Sequence, residues 1–326
     1  MKRTIAIVAG GDSSEFPVSL RSAQGLYSFM DKEKYTVYIV EMKGLCWEAV
    51  LPDGNKTAVD RKDFSFLLNG EKITFDFAYI IIHGTPGENG LLQGYFDLLH
   101  IPYSTCDVLA SALTFNKFAL NHYLQGFGIR ISDSLLVRKG SDISDQDVIE
   151  KIGLPCFIKP NEGGSSFGVT KVKTAEQIRP AIEKAMHESD EVMVEAFMAG
   201  TEITCGCYKT RTKEVVFPIT EVVSKNEFFD YAAKYDGESQ EITPARLDDD
   251  TTRRVKTLTS AIYDILGCEG IIRVDYIITE GGKINLLEVN TTPGMTATSF
   301  IPQQVRAAGL DMKDVLTDII ENKFIS

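Results

Sequence analysis

Two acidic side chains near the C-terminus lie in a stretch that has the pattern of a β-hairpin. Residues 270–294 read GIIRVDYIITEGGKINLLEVNTTPG, with apolar, β-branched runs on both sides of Gly281 and Gly282. A two-residue glycine loop is a strong hairpin signal, because glycine readily adopts positive φ angles. A loop at these two glycines predicts that Asp275 and Glu288 face each other across neighbouring strands.

The face that carries these carboxylates has the residue types of a metal and phosphate site. Two carboxylates directly opposite one another repel unless a cation lies between them. The same register places Arg273 opposite Asn290 on this face. The carboxylates and the Asn290 amide offer oxygen ligands, which suit Mg²⁺ rather than Zn²⁺, and Arg273 could bind a phosphoryl oxygen. A solvated hairpin edge is the alternative, and a three-residue loop would send the two carboxylates to opposite faces.

A second stretch has the composition of a phosphate-binding loop. Residues 154–172 read LPCFIKPNEGGSSFGVTKV, in which two apolar strands enclose a Gly/Ser loop and Lys159 ends the first strand. Backbone N–H groups of such a loop can cradle phosphates while a lysine supplies positive charge. The pattern GxxxxGK[ST] is absent, so this is not a P-loop, and a bare Gly/Ser hairpin is the alternative.

The N-terminal third predicts the open α/β sheet that would position such groups. Residues 4–9 form an apolar strand that leads into a glycine turn and a helix, with Pro17 at a plausible N1 position. Ligands collect at such crevices, although the dinucleotide pattern GxGxxG is absent. In a second glycine-rich turn, HGTPGENG at residues 83–90, His83 and Glu88 have either a substrate role or a local turn-capping role.

Three charged residues between these stretches are less specific. Lys117 lies in a helical pattern among apolar neighbours and is typical of a surface lysine whose stem covers them. Glu195 and Glu202 bracket a short connector between two strands. Glu202 could hold the hydroxyls of a ribose, although exposed glutamates commonly have no such role.

Residues 224–246 have the length and composition of a lid. They mix aromatic and charged residues without a clear period, and the stretch is too long for an ordinary connection. We predict that it closes over an active site with Lys234 and Tyr235 pointing inward. The alternative is an aromatic surface loop that meets another subunit.

Composition limits the classes of function. The chain has 326 residues, 44% of them hydrophobic and 25% charged, as in soluble globular proteins of two or three domains. Its net charge of −12 argues against nucleic acid or an anionic membrane as the main partner. No apolar run approaches transmembrane length. Six scattered cysteines without CxxC spacing predict reduced thiols in a cytoplasmic protein.

The order of these features resembles that of the ATP-grasp ligases and, within them, the D-alanine:D-alanine ligases. The similarity covers nearly the whole chain and is carried by HGTPGENG, FIKPNEGGSSFGVTKV, DYAAKY, RVDY and LLEVNTTPGMTATSFIP, in the family's order. It implies an ATP-grasp fold, of α/β and α+β class, with an N-terminal open parallel α/β domain. The expected divisions are an N-terminal substrate-side domain (1–103), a central subdomain with the Gly/Ser loop (104–196), and a C-terminal subdomain with the lid and metal site (197–326).

The resemblance also implies where the nucleotide and metal bind. The residues assigned to ATP are Lys117 and Lys159 at the phosphates, Lys234 at the γ-phosphate, Glu195, Phe197 and Met198 at the adenine, and Glu202 at the ribose. Those assigned to two Mg²⁺ or Mn²⁺ ions are Asp275, Glu288 and Asn290.

The substrate site follows from the same resemblance. Arg273 and the backbone of Gly294 would stabilise the oxyanion of a tetrahedral intermediate. The residues assigned to the two D-alanine subsites are Ser165, Tyr235 and His83 for the first, and Ser299 and Phe300 for the second.

Four positions depart from the family's pattern. Pro17 stands where related ligases usually have a Glu or Asp, immediately before V-S-L, that holds the ammonium group of the first substrate. Asn89 stands where an Asp is usual, Ala232 where an acidic residue is common, and Phe300 where a Leu often lines the second subsite. We predict that Glu15, in the turn before the helix, partly replaces the charge missing at Pro17, and that Pro17→Glu strengthens the subsite. Glu88, ordered water or a weak subsite are the alternatives.

The implied activity is ATP-dependent synthesis of D-alanyl-D-alanine for peptidoglycan, by a cytoplasmic enzyme that we expect to be a homodimer. A carboxylate is a poor electrophile, so the first D-alanine is phosphorylated and the second amine attacks the acyl phosphate. Relatives that make D-alanyl-D-lactate commonly carry Phe or His at the position of Tyr235, so Tyr235 implies the dipeptide. The alternatives are a ligase for another amino or hydroxy acid pair, and a catalytically silent nucleotide-binding regulator.

Overall fold

The computed structural model describes residues 2–141, 143–224 and 239–325, and three sheets follow one another along this part of the chain. Ala232 and the two predicted lid residues, Lys234 and Tyr235, lie outside the described residues. Within the described ranges, no helix is long and apolar enough to cross a membrane.

The first sheet has a parallel centre, as predicted. Its elements are β1 (Arg3–Gly10), α1 (Phe16–Phe29), β2 (Tyr35–Lys43), β3 (Cys46–Val50), β4 (Lys56–Asp60), β5 (Ser65–Leu68), β6 (Glu71–Thr74) and β7 (Phe77–Ile80), in the strand order β6-β5-β4-β3-β2-β1-β7. Strand β1 is parallel to β2 and β7, and its residues 5–9 are fully buried because both faces of the sheet are covered. Strands β3 to β6 add antiparallel hairpins, so the sheet is mixed rather than parallel throughout.

Three helices lead to the second sheet, which is antiparallel. The helices are α2 (Leu91–Leu99), α3 (Val108–Phe115) and α4 (Lys117–Gln125). The sheet elements are β8 (Ser134–Arg138), α5 (Asp145–Lys151), β9 (Cys156–Pro160), β10 (Thr170–Val172), a 3₁₀ turn (Ala175–Gln177), α6 (Ile178–Ala185) and β11 (Glu191–Ala196), in the strand order β10-β9-β11-β8. The Gly/Ser loop therefore joins two paired strands, β9 and β10, as predicted.

The third sheet carries the predicted hairpin. Its elements are β12 (Gly200–Lys209), β13 (Glu214–Val216), β14 (Thr220–Ser224), β15 (Ser239–Ile242), α7 (Asp249–Ile265), β16 (Ile271–Thr279) and β17 (Lys283–Asn290), followed by α8 (Phe300–Ala307) and α9 (Met312–Asn322). The strand order is β15-β14-β12-β16-β17, with β13 paired to β12. The Asp248 side chain caps α7 by accepting from the Thr251 N–H, which explains where this amphipathic helix begins.

The hairpin pairs its polar residues as predicted, but its loop is longer. Asp275 lies opposite Glu288, and Arg273 lies opposite Asn290. The loop comprises the three residues 280–282, because Thr279 pairs with Lys283. Both glycines in the loop have positive φ angles, as a tight turn requires.

A β-bulge compensates for the longer loop. Three loop residues would by themselves place Asp275 opposite Leu287 and the two carboxylates on different faces. Instead, Tyr276 pairs with Leu286 while Asp275 pairs with Glu288, so Leu287 is an extra residue on β17. The prediction of a two-residue loop is wrong, and the bulge restores the predicted face.

Helices from the middle and the end of the chain contribute to the cores of the first and third sheets. Helices α3 and α4 contribute Ala110 and Leu120 to the core of the third sheet. Helices α8 and α9 contribute Ile301 and Leu316 to the core of the first sheet. The second sheet forms its core with α5 and α6. Helices α8 and α9, which follow the third sheet in the chain, therefore tie it to the first sheet.

Candidate active site

A cavity of about 220 Å³ lies between the second and third sheets. Its lining includes every described residue that the resemblance assigned to ATP: Lys117, Lys159, Glu195, Phe197, Met198 and Glu202. Apolar side chains that the sequence analysis did not single out, Phe157 on β9 and Ile277 on β16, complete the walls. Phe157 lies two residues before Lys159 on the same strand, and this period of two could have identified it.

A buried ion pair forms the inner wall of this cavity. The Lys159 Nζ atom lies 2.7 Å from Glu195 Oε2, and the two side chains are 10% and 2% exposed. The second carboxylate oxygen, Glu195 Oε1, is buried with no hydrogen-bond partner among the described residues. A buried acceptor without a donor is costly. The exocyclic amino group of adenine is a donor that fits this position.

The Gly/Ser loop closes the other end of the cavity. Lys117 Nζ donates to the carbonyl oxygen of Gly163 at 2.5 Å, and Lys117 is partly buried rather than the surface lysine that its pattern indicated. Burial lowers the pKa of Lys117, and the Glu288 carboxylate opposes this effect. Ser165 and Ser166 have φ angles of 49° and 60°, a region that residues other than glycine seldom occupy. Such conformations concentrate at ligand sites.

The hairpin face carries a cation of its own. Arg273 Nε and Nη2 donate to the two carboxylate oxygens of Asp275 at 2.9 and 2.7 Å, and Nη2 lies 3.7 Å from Glu288 Oε1. The Asn290 amide nitrogen lies 3.2 Å from Glu288 Oε1. The paired carboxylates therefore do not by themselves require a metal, because the Arg273 guanidinium already offsets part of their charge.

The same residues nevertheless fit a hard divalent cation. The Asn290 amide nitrogen lies within hydrogen-bond range of both the Asp275 and the Glu288 carboxylate, and rotation of the amide would present its oxygen. An all-oxygen donor set suits Mg²⁺ or Mn²⁺. No group of three or more His, Cys, Asp or Glu side chains in the described ranges could hold a metal ion, so this mixed set with an amide is the candidate.

A second cavity, of about 380 Å³, adjoins the first. Its lining includes every described residue that was assigned to substrate: Glu15, His83, Ser165, Arg273, Gly294, Ser299 and Phe300. Both cavities are lined by Lys117, residues 163–165, Arg273, Glu288 and Phe300. The two cavities thus share a wall that contains the Gly/Ser loop and the charged residues of the hairpin.

Glu15 lies at one end of the second cavity. Its side chain is buried and accepts a hydrogen bond from the Ser165 hydroxyl. Gly164 packs against it so closely that a Cβ atom there would lie 2.6 Å from Glu15 Oε2. Pro17 is exposed and does not line the cavity, which argues against the expectation that an acid at position 17 would hold the substrate.

His83 and Glu88 border the same end of the cavity. His83 Nε2 lies 3.1 Å from the Ser22 hydroxyl, and burial lowers the pKa of His83. The Glu88 carboxylate accepts from the Gly84 N–H at 2.6 Å, which confirms the turn-capping interpretation. Burial, followed by the charge of Glu15, raises the pKa of Glu88 to about 7. This end of the cavity therefore combines one buried carboxylate with a second that is easily protonated.

The opposite end is formed by the start of α8. Ser299 occupies the N-cap position of α8 without a capping hydrogen bond from its side chain, and its hydroxyl lies 2.8 Å from that of Thr296. Gly294 lies beside it, since a Cβ atom there would be 3.0 Å from Ser299 Oγ. The Arg273 guanidinium stands 5.3 Å from the centre of the Phe300 ring. Glu241 on β15 also lines this end, and no sequence pattern singled it out.

A nucleotide-binding cavity between two antiparallel sheets, joined to a polar substrate cavity through a Gly/Ser loop, defines an enzyme of the ATP-grasp fold. Comparison with known families agrees. Residues 4–106 match the profile described as D-ala D-ala ligase N-terminus, and residues 123–321 match that described as D-ala D-ala ligase C-terminus.

Individual relatives give the same result. The chain is 79% identical over 324 residues to a D-alanine–D-alanine ligase of Phocaeicola vulgatus (99% of this chain, 100% of the relative), and 62% identical over 323 residues to one of Parabacteroides distasonis (99% and 98%). Among solved structures, D-alanyl-alanine synthetase A of Vibrio cholerae superposes with a TM-score of 0.88 at 29% identity (100% and 99% covered). A D-Ala:D-Ser ligase of Enterococcus faecalis superposes at 0.86 with 31% identity (99% and 99%). The chain belongs to the D-alanine–D-alanine ligase family, and it is an ATP-dependent ligase.

Proposed function

We propose that this chain joins two D-alanine molecules through an acyl phosphate, with the residue roles set out below. The product, D-alanyl-D-alanine, serves peptidoglycan synthesis. The observation that supports these roles is the wall shared by the two cavities, because it brings the phosphate end of the nucleotide cavity to the amino-acid cavity. A phosphoryl group can then pass directly from ATP to a carboxylate.

The nucleotide is held by its base and its phosphates. Glu195 Oε1, which lacks a donor among the described residues, accepts from the adenine amino group, and Phe197 and Met198 contact the ring. Glu202 holds the ribose hydroxyls. Lys159 and Lys117 contribute charge at the phosphates, and backbone N–H groups of the Gly/Ser loop donate to them.

The first D-alanine binds at the end of the cavity that contains Glu15. The Glu15 carboxylate pairs with its ammonium group, and Ser165 fixes that carboxylate by donating to it. Lys117 and Arg273 border the region where the substrate carboxylate would receive the phosphoryl group. His83 is kept neutral by burial, so it does not compete for Glu15 as a cation.

The second D-alanine binds at the end of the cavity formed by α8. Ser299 and the first N–H groups of α8 face its carboxylate, and Phe300 shapes the subsite. The neutral amine attacks the acyl carbon, and negative charge develops on the acyl oxygen. Collapse of this tetrahedral intermediate breaks the bond to the phosphate, which leaves, and the nitrogen loses a proton to water. Arg273 and the backbone N–H of Gly294 stabilise that oxyanion.

Asp275, Glu288 and Asn290 are the residues that would hold Mg²⁺ or Mn²⁺. When bound, such ions offset charge on the transferring phosphoryl oxygens. Arg273 would then release part of its pairing with Asp275 and turn its donors toward substrate oxygens.

The test is product analysis with purified protein, ATP, Mg²⁺ and D-alanine. We expect equal amounts of ADP, phosphate and D-alanyl-D-alanine. With D-serine and D-lactate also present, near neutral pH, the dipeptide of D-alanine should remain the main product. ADP release without dipeptide, or predominant ester or mixed dipeptide, would overturn the proposal.

A homodimer in the cytoplasm is a further part of this proposal. Leucines on two neighbouring helices of the N-terminal half are strongly exposed: Leu91 (64%), Leu98 (82%) and Leu109 (74%). Apolar side chains grouped in this way are typical of a subunit interface. Light scattering should give twice the mass of the chain, and Leu98→Glu with Leu109→Glu should reduce it to one.

A further inference from the structure

Glu241 is an acidic residue of the amino-acid cavity that has no role in the mechanism above. It lies on the edge strand β15 and lines the end of the cavity formed by α8, together with Thr298 and Ser299. It is one of four glutamates that line the cavity, with Glu15, Glu88 and Glu288, and it lies at the end formed by α8.

Hydrogen bonds fix the direction of this side chain. Gln303, on the first turns of α8, donates from its amide nitrogen to Glu241 Oε2. The same nitrogen donates to the carbonyl oxygen of Thr298 at 2.6 Å. A side chain anchored in this way keeps its charge at one place in the subsite.

The surroundings determine how Glu241 is ionised. Burial raises the pKa of Glu241, whereas the Gln303 hydrogen bond and the Arg273 charge lower it. An assay at about pH 8 lies well above the ordinary pKa of a glutamate side chain.

We propose that Glu241 determines acceptor specificity by favouring acceptors that carry an ammonium group over hydroxy acids. The inference rests on the proposed function, since it assigns the α8 end of the cavity to the acceptor. Gln303 acts through Glu241 and is a positioning residue.

The sign of the effect follows from charge alone. D-alanine and D-lactate share a carboxylate, so its repulsion from Glu241 cancels when the two acceptors are compared. They differ by one positive charge, which a fixed negative charge attracts at any separation. The acceptor arrives as an ammonium and loses a proton to water before its nitrogen lone pair attacks. Positive charge develops on that nitrogen again as the C–N bond forms, so the preference should appear in kcat/KM.

The experiment measures how wild type and Glu241→Gln divide acyl phosphate between D-alanine and D-lactate at about pH 8. Glutamine keeps the shape and still accepts the Gln303 hydrogen bond, so only charge is lost. We expect the ratio of ester to amide product to rise about tenfold, or ~1.4 kcal/mol. The KM for ATP should not change, because Glu241 does not line the nucleotide cavity.

Three further variants separate charge from structure. Glu241→Asp keeps the charge and should stay close to wild type in its product ratio. Gln303→Leu frees the carboxylate and should shift the ratio in the same direction as Glu241→Gln, by less. Glu71→Gln, on the exposed edge strand β6, is the matched control and should have no effect.

The results that would refute a role for Glu241 differ from those that would refute the proposed function. If amide and ester formation fall equally in Glu241→Gln, Glu241 is only structural and the proposal is wrong. An unchanged ratio and unchanged acceptor KM would also overturn it. Failure of the proposed function itself would appear earlier, as absence of dipeptide from the wild-type protein.

Discussion

Replacing Glu15 with glutamine tests the first-substrate site most directly. The carboxylate is buried, faces the amino-acid cavity, and accepts from the Ser165 hydroxyl. Glutamine has nearly the same volume, and its amide oxygen can accept the same hydrogen bond. The substitution therefore removes a negative charge with little change in packing.

The structure sets the expected magnitude. An ammonium about 4 Å from a carboxylate gains ~4 kcal/mol at an effective dielectric constant of about 20. Desolvation of both groups offsets much of this gain. A remainder of ~1.4 kcal/mol corresponds to about a tenfold increase in the KM for the first D-alanine. The KM for ATP should stay constant, because Glu15 does not line the nucleotide cavity.

A second consequence concerns Glu88, whose pKa of about 7 is raised partly by the charge of Glu15. Removing that charge should lower the pKa of Glu88 toward its ordinary value. Any limb of the pH–rate profile that follows Glu88 should move to lower pH in the Glu15→Gln variant. A purely steric effect of the substitution would not move it.

The assay is steady-state kinetics in which the two D-alanine KM values are resolved and ATP is varied separately. Pro17→Glu, made alone and with Glu15→Gln, is the control. Pro17 is exposed and outside the cavity, so a glutamate there should neither tighten the subsite by itself nor correct the defect of Glu15→Gln in the double variant. Unchanged D-alanine KM values, or an equal rise for ATP, would refute the role of Glu15.

Three other predictions follow from the same geometry. Glu288→Gln should abolish ADP release at saturating Mg²⁺ while the thermal unfolding temperature stays near wild type, because Arg273 and Asn290 keep the other contacts of this face; wild-type activity would contradict the metal assignment. Lys159→Met leaves the Glu195 charge buried without its partner and should lower the free energy of unfolding by about 3 kcal/mol in urea titrations. Adding Glu195→Gln to this variant should recover much of that loss. Equal losses in the single and double variants would argue against a stabilising ion pair. Glu88→Gln should flatten the pH dependence of stability. The pKa of Glu88 is about 7 in the folded protein against an ordinary 4.5, so its contribution to stability is complete below about pH 4.5 and is lost as the pH rises through about 7. A variant that still loses stability over this range would rule out Glu88 as the cause.

The sequence by itself determined much of the site because its signals are local. Apolar runs fixed the strands on both sides of the Gly/Ser loop, and Lys159 follows from its place at the end of one of them. The opposition of Asp275 and Glu288 came from alternation along two neighbouring strands. The resemblance added the order of the stretches, which connected residues far apart in the chain.

Tertiary structure decided what local patterns could not. The turn has three residues, and only the bulge at Leu287, which depends on packing of the whole strand pair, returns the carboxylates to one face. Arg273 is the cation beside these carboxylates because its side chain extends along its own strand to Asp275. Glu15 rather than Pro17 lines the larger cavity, since the direction of each side chain at a helix start depends on how that helix packs.

Glu241 is the clearest example of a site residue that the sequence alone could not predict. It lies on a short edge strand with no motif of its own, and it enters the site because β15 and the start of α8 meet there in the folded protein. Sequence periodicity reports which residues share a face of one element. Sequence periodicity does not report which faces of distant elements meet at one cavity. Burial of the cores determines this, because long-range packing places the sheets and helices relative to one another.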